Sequence, residues 1–369
     1  MPVSSASQEQ DLHKVVLEDL RKTDVFGHIR RDLRDLYSFY LTEERREKLA
    51  AMGVVQRTFI FWGWLFKSLM MKLSSARRLA LLAGLILLLF GGVHWKLGDF
   101  SISLDFRFLG AVAVLAVLML ELKDKLLARD EIEIARQVQL ALLPRRHPQM
   151  AGWTIWSYTR PANDVGGDLV DYLEMDGGRL GVALGDVAGK GLGAALLMAK
   201  LQATLRATAP DSTSMAGLGT LLNTILLRDG LENRYATLFY FEMEPGTGRI
   251  RCLNAGHNPP YLLRGSCLET LRAGSPPLGM LSSARFVEDG VDLSPGEMLV
   301  AYSDGLTEAL NEQEVEFGTE RLTALVGGLR GLPAEEAGAR LLAAIDRFLG
   351  AARPYDDLSL VVISRTAFS

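Results

Sequence analysis

Beyond residue 150 the sequence alternates short apolar runs with tight turns, and this alternation limits the fold more than any other feature. Five runs are typical of strands: GRLGVALGD, YATLFYFEM, GRIRCLNAG, EMLVAYSDG and LSLVVIS. The turns EMDGGR and EPGTGR each join two runs, which favours antiparallel hairpins over a doubly wound parallel sheet. Stretches with helical periodicity interrupt the runs at 192–208, 214–228 and 333–349. We therefore predict an α+β domain over residues 149–369.

The residues before this domain contain the most apolar stretches of the chain. Apolar residues make up 49% of the whole sequence, and the runs 58–66, 79–95 and 108–120 hold much of the excess. Because a membrane span needs about 20 apolar residues, we predict a membrane helical hairpin with spans at about 79–95 and 106–122. A buried helical hairpin of a soluble domain is the alternative.

Basic residues on both flanks of the hairpin set its predicted orientation. Arg77 and Arg78 precede the first span, and Lys123, Lys125 and Arg129 follow the second. Because basic flanks stay on the cytoplasmic side, both ends of the hairpin are predicted to face the cytoplasm. We expect a multi-pass protein of the inner (cytoplasmic) membrane whose catalytic domain is cytoplasmic.

The other N-terminal segments are predicted to be helical. Residues 1–53 are typical of a charged cytosolic helical arm. Residues 58–72 are typical of an interfacial helix within a membrane region over 54–122, a third membrane span being the alternative. A linker or signalling helix is predicted over 123–148. Apolar residues at a spacing of seven predict a coiled-coil seam and a homodimer through this helix, the alternative being a lone helix packed on the next domain. These residues are Leu120, Leu127, Ile134 and Ala141.

Charge and cysteine content exclude several function classes. The chain has 40 basic and 44 acidic residues, a net charge of −4, and no basic run in 151–369, so nucleic acid is not an expected partner. Cys252 and Cys267 form neither a disulfide framework nor a zinc pattern, and neither begins a phosphocysteine nucleophile loop. A reducing compartment is the expected environment.

Aspartates recur where the predicted strands start or stop. They are Asp168 and Asp171 in VGGDLVDYL, Asp186 in LGDVAGKG, Asp304 in AYSDGLTE, and Asp356 and Asp357 in PYDDLSLVVI. Asp beside Gly is a common turn pair, but strands that lie side by side would bring these carboxylates to one edge. Clustered like charges require a cation. All-oxygen ligands without a His/Cys cluster favour Mg²⁺ or Mn²⁺ over zinc.

The glycines of GDVAGKG fit the same prediction. They permit tight backbone geometry and let a main-chain carbonyl, that of Val187, approach an ion. Two hard cations about 3.5–4 Å apart activate a water and polarise a phosphoryl group for in-line attack. Such a site needs no protein nucleophile, which suits a chain that lacks GxSxG and has five scattered histidines.

Five ordered motifs resemble the SpoIIE/RsbU-type serine/threonine phosphatases of the metal-dependent PPM superfamily. They are VGGDLVD, GDVAGKGLGAALLMA, LNAGHNPPYLLR, YSDGLTEALN and YDDLSLVVI. The stretch EIARQVQLALLP also looks like the lead-in helix of that family, so the resemblance covers roughly 130–366. It implies a PPM-type two-sheet antiparallel β-sandwich flanked by helices, with two Mn²⁺ or Mg²⁺ ions at one edge.

The resemblance also implies a role for each matching carboxylate. Asp186 would bridge both ions, with the Val187 carbonyl on one of them. Asp304 and Asp356 would complete the other, and Asp168 would act directly or through water. Asp357 is a weaker metal candidate, and Asp171 a residue that would orient a ligand.

Other residues of the matching motifs have two alternatives each. Lys190 would assist phosphate binding or be a solvated loop lysine. His257 is a weak candidate for donating a proton to the leaving alkoxide. His257 and Asn254 could instead fix a turn by hydrogen bonding.

These features together predict a membrane-anchored, Mn²⁺/Mg²⁺-dependent serine/threonine phosphoprotein phosphatase, in which a metal-activated water attacks phosphoserine or phosphothreonine. The resemblance implies a phosphorylated STAS-type anti-anti-sigma protein of bacterial signalling as substrate. A catalytically silent PPM-fold binding or scaffold module at the membrane is the alternative, and the complete carboxylate set argues against it. A phosphohydrolase of nucleotides or nucleic acid is a third hypothesis, which lacks the expected basic or base-stacking groove.

Overall fold

The computed structural model describes residues 48–49, 52–97, 100–229, 234–272 and 274–366. The chain divides into two compact units, Met1–Lys125 and Leu126–Ser369. The predicted helical arm over 1–53 lies almost wholly outside the described residues. The other predicted domain boundaries stay predictions.

The N-terminal unit contains a helical pair and a small hairpin. Its elements are α1 (Val54–Lys72), α2 (Ser75–Phe90), β1 (Gly92–Leu97), β2 (Phe100–Asp105) and the first part of α3 (Arg107–Leu142). Within this unit α2 and α3 approach closely where Gly84 faces Gly110, since a Cβ built on Gly110 would lie 2.6 Å from the Gly84 carbonyl oxygen. Arg77 pairs with Glu121 at 2.8 Å and with Asp124 at 2.6 Å.

The prediction of a membrane helical hairpin is not supported. No helix in the described part of the chain is both long enough and apolar enough to cross a bilayer. The predicted span 79–95 is wrong as a helix, because α2 has 16 residues and the chain leaves it at Gly91 to form β1. Sixteen residues span about 24 Å, less than the roughly 30 Å of a hydrocarbon core. The predicted span 106–122 lies within α3, which continues through the charged residues that follow it.

The C-terminal unit begins with the second part of α3 and continues with ten strands and five α-helices in its described residues. In chain order these are β3 (Trp153–Arg160), β4 (Leu169–Glu174), β5 (Leu180–Val187), α4 (Leu192–Thr208), α5 (Met215–Asp229), β6 (Ala236–Met243), β7 (Arg249–Ala255), β8 (Tyr261–Arg264), β9 (Cys267–Thr270), β10 (Asp289–Asp292), β11 (Met298–Tyr302), α6 (Asp304–Thr307), α7 (Gly318–Gly327), α8 (Ala334–Leu349) and β12 (Leu358–Arg365). A short 3₁₀ turn, Asp176–Gly178, joins β4 to β5.

The strands form two five-stranded sheets in which every pairing is antiparallel. The first sheet has the order β10-β7-β6-β5-β4, and the second has the order β3-β12-β11-β8-β9. The five predicted strand runs, the two predicted hairpins and the three predicted helices are all present. The predicted two-sheet antiparallel sandwich is therefore confirmed.

Three apolar layers hold the sandwich together. Side chains such as Phe239, Phe241 and Val361 fill the space between the sheets. Helices α4 and α5 cover the outer face of the first sheet, and α7 and α8 cover that of the second. Because β6 and β12 are covered on both faces, their residues are buried at nearly every position rather than at alternate positions.

Candidate active site

Strand register brings the predicted carboxylates to one edge of the two sheets. In the first sheet Leu169 pairs with Gly185, so Asp168 lies just before β4 and beside Asp186 near the end of β5. In the second sheet Tyr302 pairs with Leu360, so Asp304 after β11 lies beside the segment that leads into β12. That segment carries Asp356 and Asp357. The convergence predicted for these side chains is present in the fold.

The carboxylates at this edge lie close to one another and are largely buried, and both effects raise the pKa values of Asp168, Asp186 and Asp304. Burial, followed by the charges of Asp304 and Asp356, raises the pKa of Asp186 to about 7. Burial and then the charge of Asp186 hold the pKa of Asp168 well above its usual range. The pKa of Asp304 is raised by burial and by Asp356. A set of carboxylates that resist ionisation together is a binding site for positive charge.

Asp168 has the most enclosed carboxylate of the set. It is 5% exposed, and its Oδ2 atom has no hydrogen-bond partner. Buried polar atoms are nearly always paired, so this oxygen points to a ligand. The neighbouring Gly167 leaves space for the Val187 carbonyl, because a Cβ there would lie 3.1 Å from that oxygen and 3.5 Å from Oδ1 of Asp186.

Asp357 has a different environment from the one expected of a metal ligand. Its Oδ1 accepts a hydrogen bond from the Ala162 N–H at 2.7 Å, and its Oδ2 accepts one from Gly167 and a longer one from Asp168 at 3.4 Å. Both oxygens are thus used by backbone donors. Asp357 is a positioning residue for the segment that carries Asp168, and its weaker assignment as a metal ligand stays a prediction.

Asp356 faces the glycine-rich loop through Lys190. The Lys190 ammonium lies 3.0 Å from Oδ2 of Asp356, donates to the Tyr355 carbonyl at 2.7 Å, and lies 4.0 Å from the centre of the Tyr355 ring. Asp356 has a side chain that is 33% exposed. Lys190 is therefore attached to the carboxylate edge rather than being a freely solvated loop lysine.

Close backbone approach explains one glycine beside Asp304. A Cβ at Gly305 would lie 2.0 Å from the Asp357 carbonyl oxygen, so only glycine lets α6 begin against the segment before β12. Ser303 joins the same two segments, since its hydroxyl donates to the Asp357 carbonyl at 3.2 Å and accepts from the Ser359 N–H at 2.9 Å. Asp304 is thereby placed opposite Asp356.

His257 and Asn254 form a closed turn beneath this edge. The His257 N–H donates to Oδ1 of Asn254 at 2.8 Å, and the Asn254 amide donates back to the His257 carbonyl at 3.0 Å. His257 is 5% exposed, and burial lowers the pKa of its imidazole to about 4. A neutral, enclosed imidazole is poorly suited to donating a proton at neutral pH. The contacts are those of the turn-fixing alternative, and the proton-donor role stays a prediction.

Asp171 serves the helix layer rather than the carboxylate edge. It is fully buried and receives two hydrogen bonds of 2.7 Å from the guanidinium of Arg206 on α4. The bidentate pair fastens α4 to β4. The expectation that Asp171 orients a metal ligand finds no contact in its support.

The carboxylate edge fits divalent cations by its chemistry. Its donors are all oxygen atoms, one buried carboxylate oxygen is unpaired, and a main-chain carbonyl faces the same space. No group of three or more His, Cys, Asp or Glu side chains among the described residues is already arranged as a metal site. The side chains must therefore close in on an ion, and Lys190 must release Asp356, for the predicted ligand set to form.

Two further residues contact this site and were not singled out from the sequence. Gln139 on α3 is hydrogen-bonded to the backbone of Gly166. Arg234 packs against the glycine-rich loop, where Cβ atoms built on Gly189 and Gly193 would lie 2.9 Å and 3.0 Å from its guanidinium. A signal for Gln139 was its place in EIARQVQLALLP, the stretch that resembles the lead-in helix of the family.

Comparisons with known proteins agree with the fold and the site. The model of the family Stage II sporulation protein E (SpoIIE) matches residues 176–366. The chain is 30% identical over 192 residues to the phosphoserine phosphatase RsbP of Bacillus subtilis (strain 168), covering 50% of this chain and 47% of RsbP. It is 27% identical over 186 residues to the phosphoserine phosphatase RsbU of the same organism, covering 50% of this chain and 55% of RsbU. The chain thus spans about half the length of these curated relatives.

A solved structure supports the fold independently. The PP2C domain of SiaA from Pseudomonas aeruginosa has a TM-score of 0.56 and 19% sequence identity, covering 66% of this chain and 99% of that domain. The matched family region contains most of the carboxylate edge, from Asp186 to Asp357. The resemblance to the SpoIIE/RsbU-type phosphatases is confirmed, and the chain belongs to the SpoIIE family.

Proposed function

We propose that this chain is a Mn²⁺- or Mg²⁺-dependent phosphatase of phosphoserine and phosphothreonine in proteins. The observation that carries the proposal is the edge where Asp168, Asp186, Asp304 and Asp356 converge, and where one buried oxygen of Asp168 has no hydrogen-bond partner. The two curated relatives, named phosphoserine phosphatases, support the reaction class.

The chain's own residues would divide the work at this edge. Asp186, the Val187 carbonyl, Asp304, Asp356 and Asp168 would hold two divalent cations, whose chemistry when bound is to acidify a water and to polarise the phosphoryl group. Asp357 fixes the segment that carries Asp168, and Gly305 lets the segment that carries Asp304 pack against the segment before β12. No covalent phosphoenzyme is required, because a water acidified by the bound cations would supply the attacking oxygen.

Lys190 would interact with the phosphoryl group of the substrate. In the present structure its ammonium is held between Asp356 and Tyr355, at the exposed side of the edge. The side chain of Lys190 is flexible, so its ammonium would be able to move from Asp356 to a phosphate of the substrate. Replacement by methionine should then raise the KM for a phosphopeptide more than it lowers kcat.

Hydrolysis of an aryl phosphate by the purified full-length chain tests the reaction class. We expect turnover with Mn²⁺, loss of turnover with excess chelator, and loss in Asp186→Ala. Arg228→Ala is a matched control, because Arg228 is exposed and its recorded ion pair is to the adjacent Asp229. A folded wild-type chain that binds Mn²⁺ and yet has no turnover on aryl phosphate or phosphopeptide would favour the binding or scaffold alternative instead.

The substrate class that we propose is a phosphorylated STAS-type anti-anti-sigma protein in bacterial signalling. Membership of the SpoIIE family and the similarity to RsbP and RsbU support this choice. Phosphate release from such a protein, compared with an unrelated phosphoserine peptide at equal concentration, is the test. Equal kcat/KM for both would argue against a dedicated substrate of this class.

A homodimer through α3 is part of the proposal. The seam residues Leu120, Leu127 and Ile134 are 43%, 51% and 61% exposed in the single chain, so their apolar surface is open to a partner. Sedimentation of the full-length chain should give a dimer, and Ile134→Glu should shift it towards a monomer. A wild-type monomer at micromolar concentration would contradict the proposed seam.

Attachment of the N-terminal unit to the cytoplasmic membrane is likewise proposed. Large apolar side chains are exposed on its helices, among them Phe59 at 79%, Phe90 at 75% and Phe108 at 77%. Such surfaces are typical of lipid or protein contact. Co-sedimentation with phosphatidylglycerol-containing vesicles, reduced in Phe59→Ser, is the expected result. Equal recovery of the full-length chain in the supernatant with and without vesicles would contradict it.

A further inference from the structure

The side-chain amide of Gln139 forms two hydrogen bonds with the backbone of Gly166. Its Nε2 donates to the Gly166 carbonyl at 2.7 Å, and the Gly166 N–H donates back to its Oε1 at 3.0 Å. Gln139 is only 7% exposed although it lies on a largely exposed stretch of α3. The two bonds have the reciprocal pattern of a ladder pair in an antiparallel sheet.

The segment 162–168 is held from its other side by Asp357. The carboxylate of Asp357 accepts hydrogen bonds from the N–H groups of Ala162, Gly167 and Asp168. Gly166 is so close to it that a Cβ would lie 2.5 Å from Oδ2 of Asp357. Gln139 and Asp357 therefore both form hydrogen bonds with the backbone of the segment 162–168.

This segment positions the backbone of Asp168. The Oδ2 atom of Asp168 is buried without a hydrogen-bond partner, whereas the hydroxyls of Ser303 and Ser359 interact with the same carboxyl group, so the position of Oδ2 depends on the backbone beneath it and on these two hydroxyls. Gly167 lies against the Val187 carbonyl and Asp186. A shift of the backbone at Gly166 would therefore displace Asp168 relative to both of these groups.

Two hydrogen bonds join the Gln139 side chain to Gly166, and an open pocket lies beside it. A cavity of about 190 Å³ lies beside it, lined by residues that include Arg136, Leu143, Pro161 and Asp164. An apolar side chain of similar length would face the same cavity. It would leave the buried Gly166 N–H and carbonyl unpaired, so the segment would move to satisfy them.

We propose that Gln139 is a positioning residue for the metal-binding edge, and that the affinity of the edge for divalent cations depends on its two hydrogen bonds to Gly166. The inference rests on the proposed function, because it assigns the segment 162–168 to that edge. It ties the C-terminal part of α3 to the site through a single side chain. Residues that support ligands through hydrogen bonds change metal affinity about 10–100-fold when replaced.

Calorimetric titration of the purified full-length chain with Mn²⁺ alone tests the inference. Gln139→Met keeps the length of the side chain and removes both hydrogen bonds, and Gln139→Ala is the second variant in case the first misfolds. Gln137→Met is the matched control, since Gln137 is exposed on the same helix and bonds to Glu133 at 3.4 Å. We expect the Mn²⁺ Kd to rise about tenfold in both Gln139 variants and to stay unchanged in the control.

Thermal unfolding in chelator separates positioning from general destabilisation. A merely structural role would lower the Tm without changing the Kd of the folded protein. A wild-type Kd in folded Gln139→Met would overturn the inference and leave the proposed function standing. A wild-type chain that neither binds Mn²⁺ nor hydrolyses aryl phosphate would overturn both.

Discussion

The carboxylate edge predicts that Asp186→Asn is more stable than wild type without metal at pH 8, and less stable than wild type with Mn²⁺. In the folded protein the pKa of Asp186 is raised from 3.8 to about 7 by burial and by Asp304 and Asp356. Because a folded acid with a raised pKa holds its proton longer than the unfolded chain does, metal-free stability falls as pH rises from about 4 to about 7 and stays low above that. Neutral asparagine removes this loss.

The size of the effect follows from the same values. One unit of pKa corresponds to about 1.4 kcal/mol, so the full difference would be about 4 kcal/mol at pH 8. The repulsion is shared among several carboxylates that can also relax, which reduces the expected gain for one substitution to about 2 kcal/mol. For a unit of this size that is a rise in Tm of about 4–8 °C.

Differential scanning calorimetry of the full-length chain, with chelator and then with Mn²⁺, measures both halves of the inversion. In chelator at pH 8 we expect Asp186→Asn to melt above wild type, and at pH 4 we expect the difference to vanish. With Mn²⁺ the order should reverse, because a ligand stabilises only the form that binds it. If Asp186→Asn melts below wild type in chelator at pH 8, the account of repulsion at this edge is refuted.

Three other predictions concern the elements that support the edge. Arg206→Met should lower the free energy of unfolding by about 2–3 kcal/mol, because it removes two charged hydrogen bonds from the buried Asp171. When Arg206→Met is made in the Asp171→Asn background, urea unfolding should show a clearly smaller loss of stability. Equal losses in the two backgrounds would show that the pair is not coupled. Gly338→Ala should destabilise by about 1–3 kcal/mol, because its Cβ would lie 2.0 Å from the Trp156 ring; an unchanged urea midpoint would contradict this packing. Insertion of one residue at Ala128 should change phosphatase activity if α3 transmits dimer geometry, and unaltered activity and response would remove that hypothesis.

The sandwich was predictable because its local signals agree with its tertiary structure. Strand runs such as YATLFYFEM are largely apolar on both faces, and turns such as EPGTGR favour a hairpin connection. The aspartates could be assigned to strand ends on the same grounds. Their convergence, however, depends on the order of strands in two sheets, which the residues support only through the family resemblance.

The remaining features depend on distant contacts that leave little trace in the sequence. The use of Asp357 by backbone donors involves residues about 190 positions away, and Gln139 meets Gly166 across a change of direction after α3. The membrane spans were predicted from continuous apolarity, and the glycine pair Gly91 and Gly92 inside the first run was the signal of its early end.

Phosphate release from a phosphoserine peptide, measured against Mn²⁺ concentration for wild type and Asp304→Asn, tests the central claim most directly. The account predicts saturable, chelator-sensitive release by wild type. It predicts that Asp304→Asn, folded as judged by circular dichroism, needs at least tenfold more Mn²⁺ or has no activity. Equal Mn²⁺ dependence in the two proteins, or release that persists in chelator, would contradict the assignment of this edge as a metal-dependent phosphatase site.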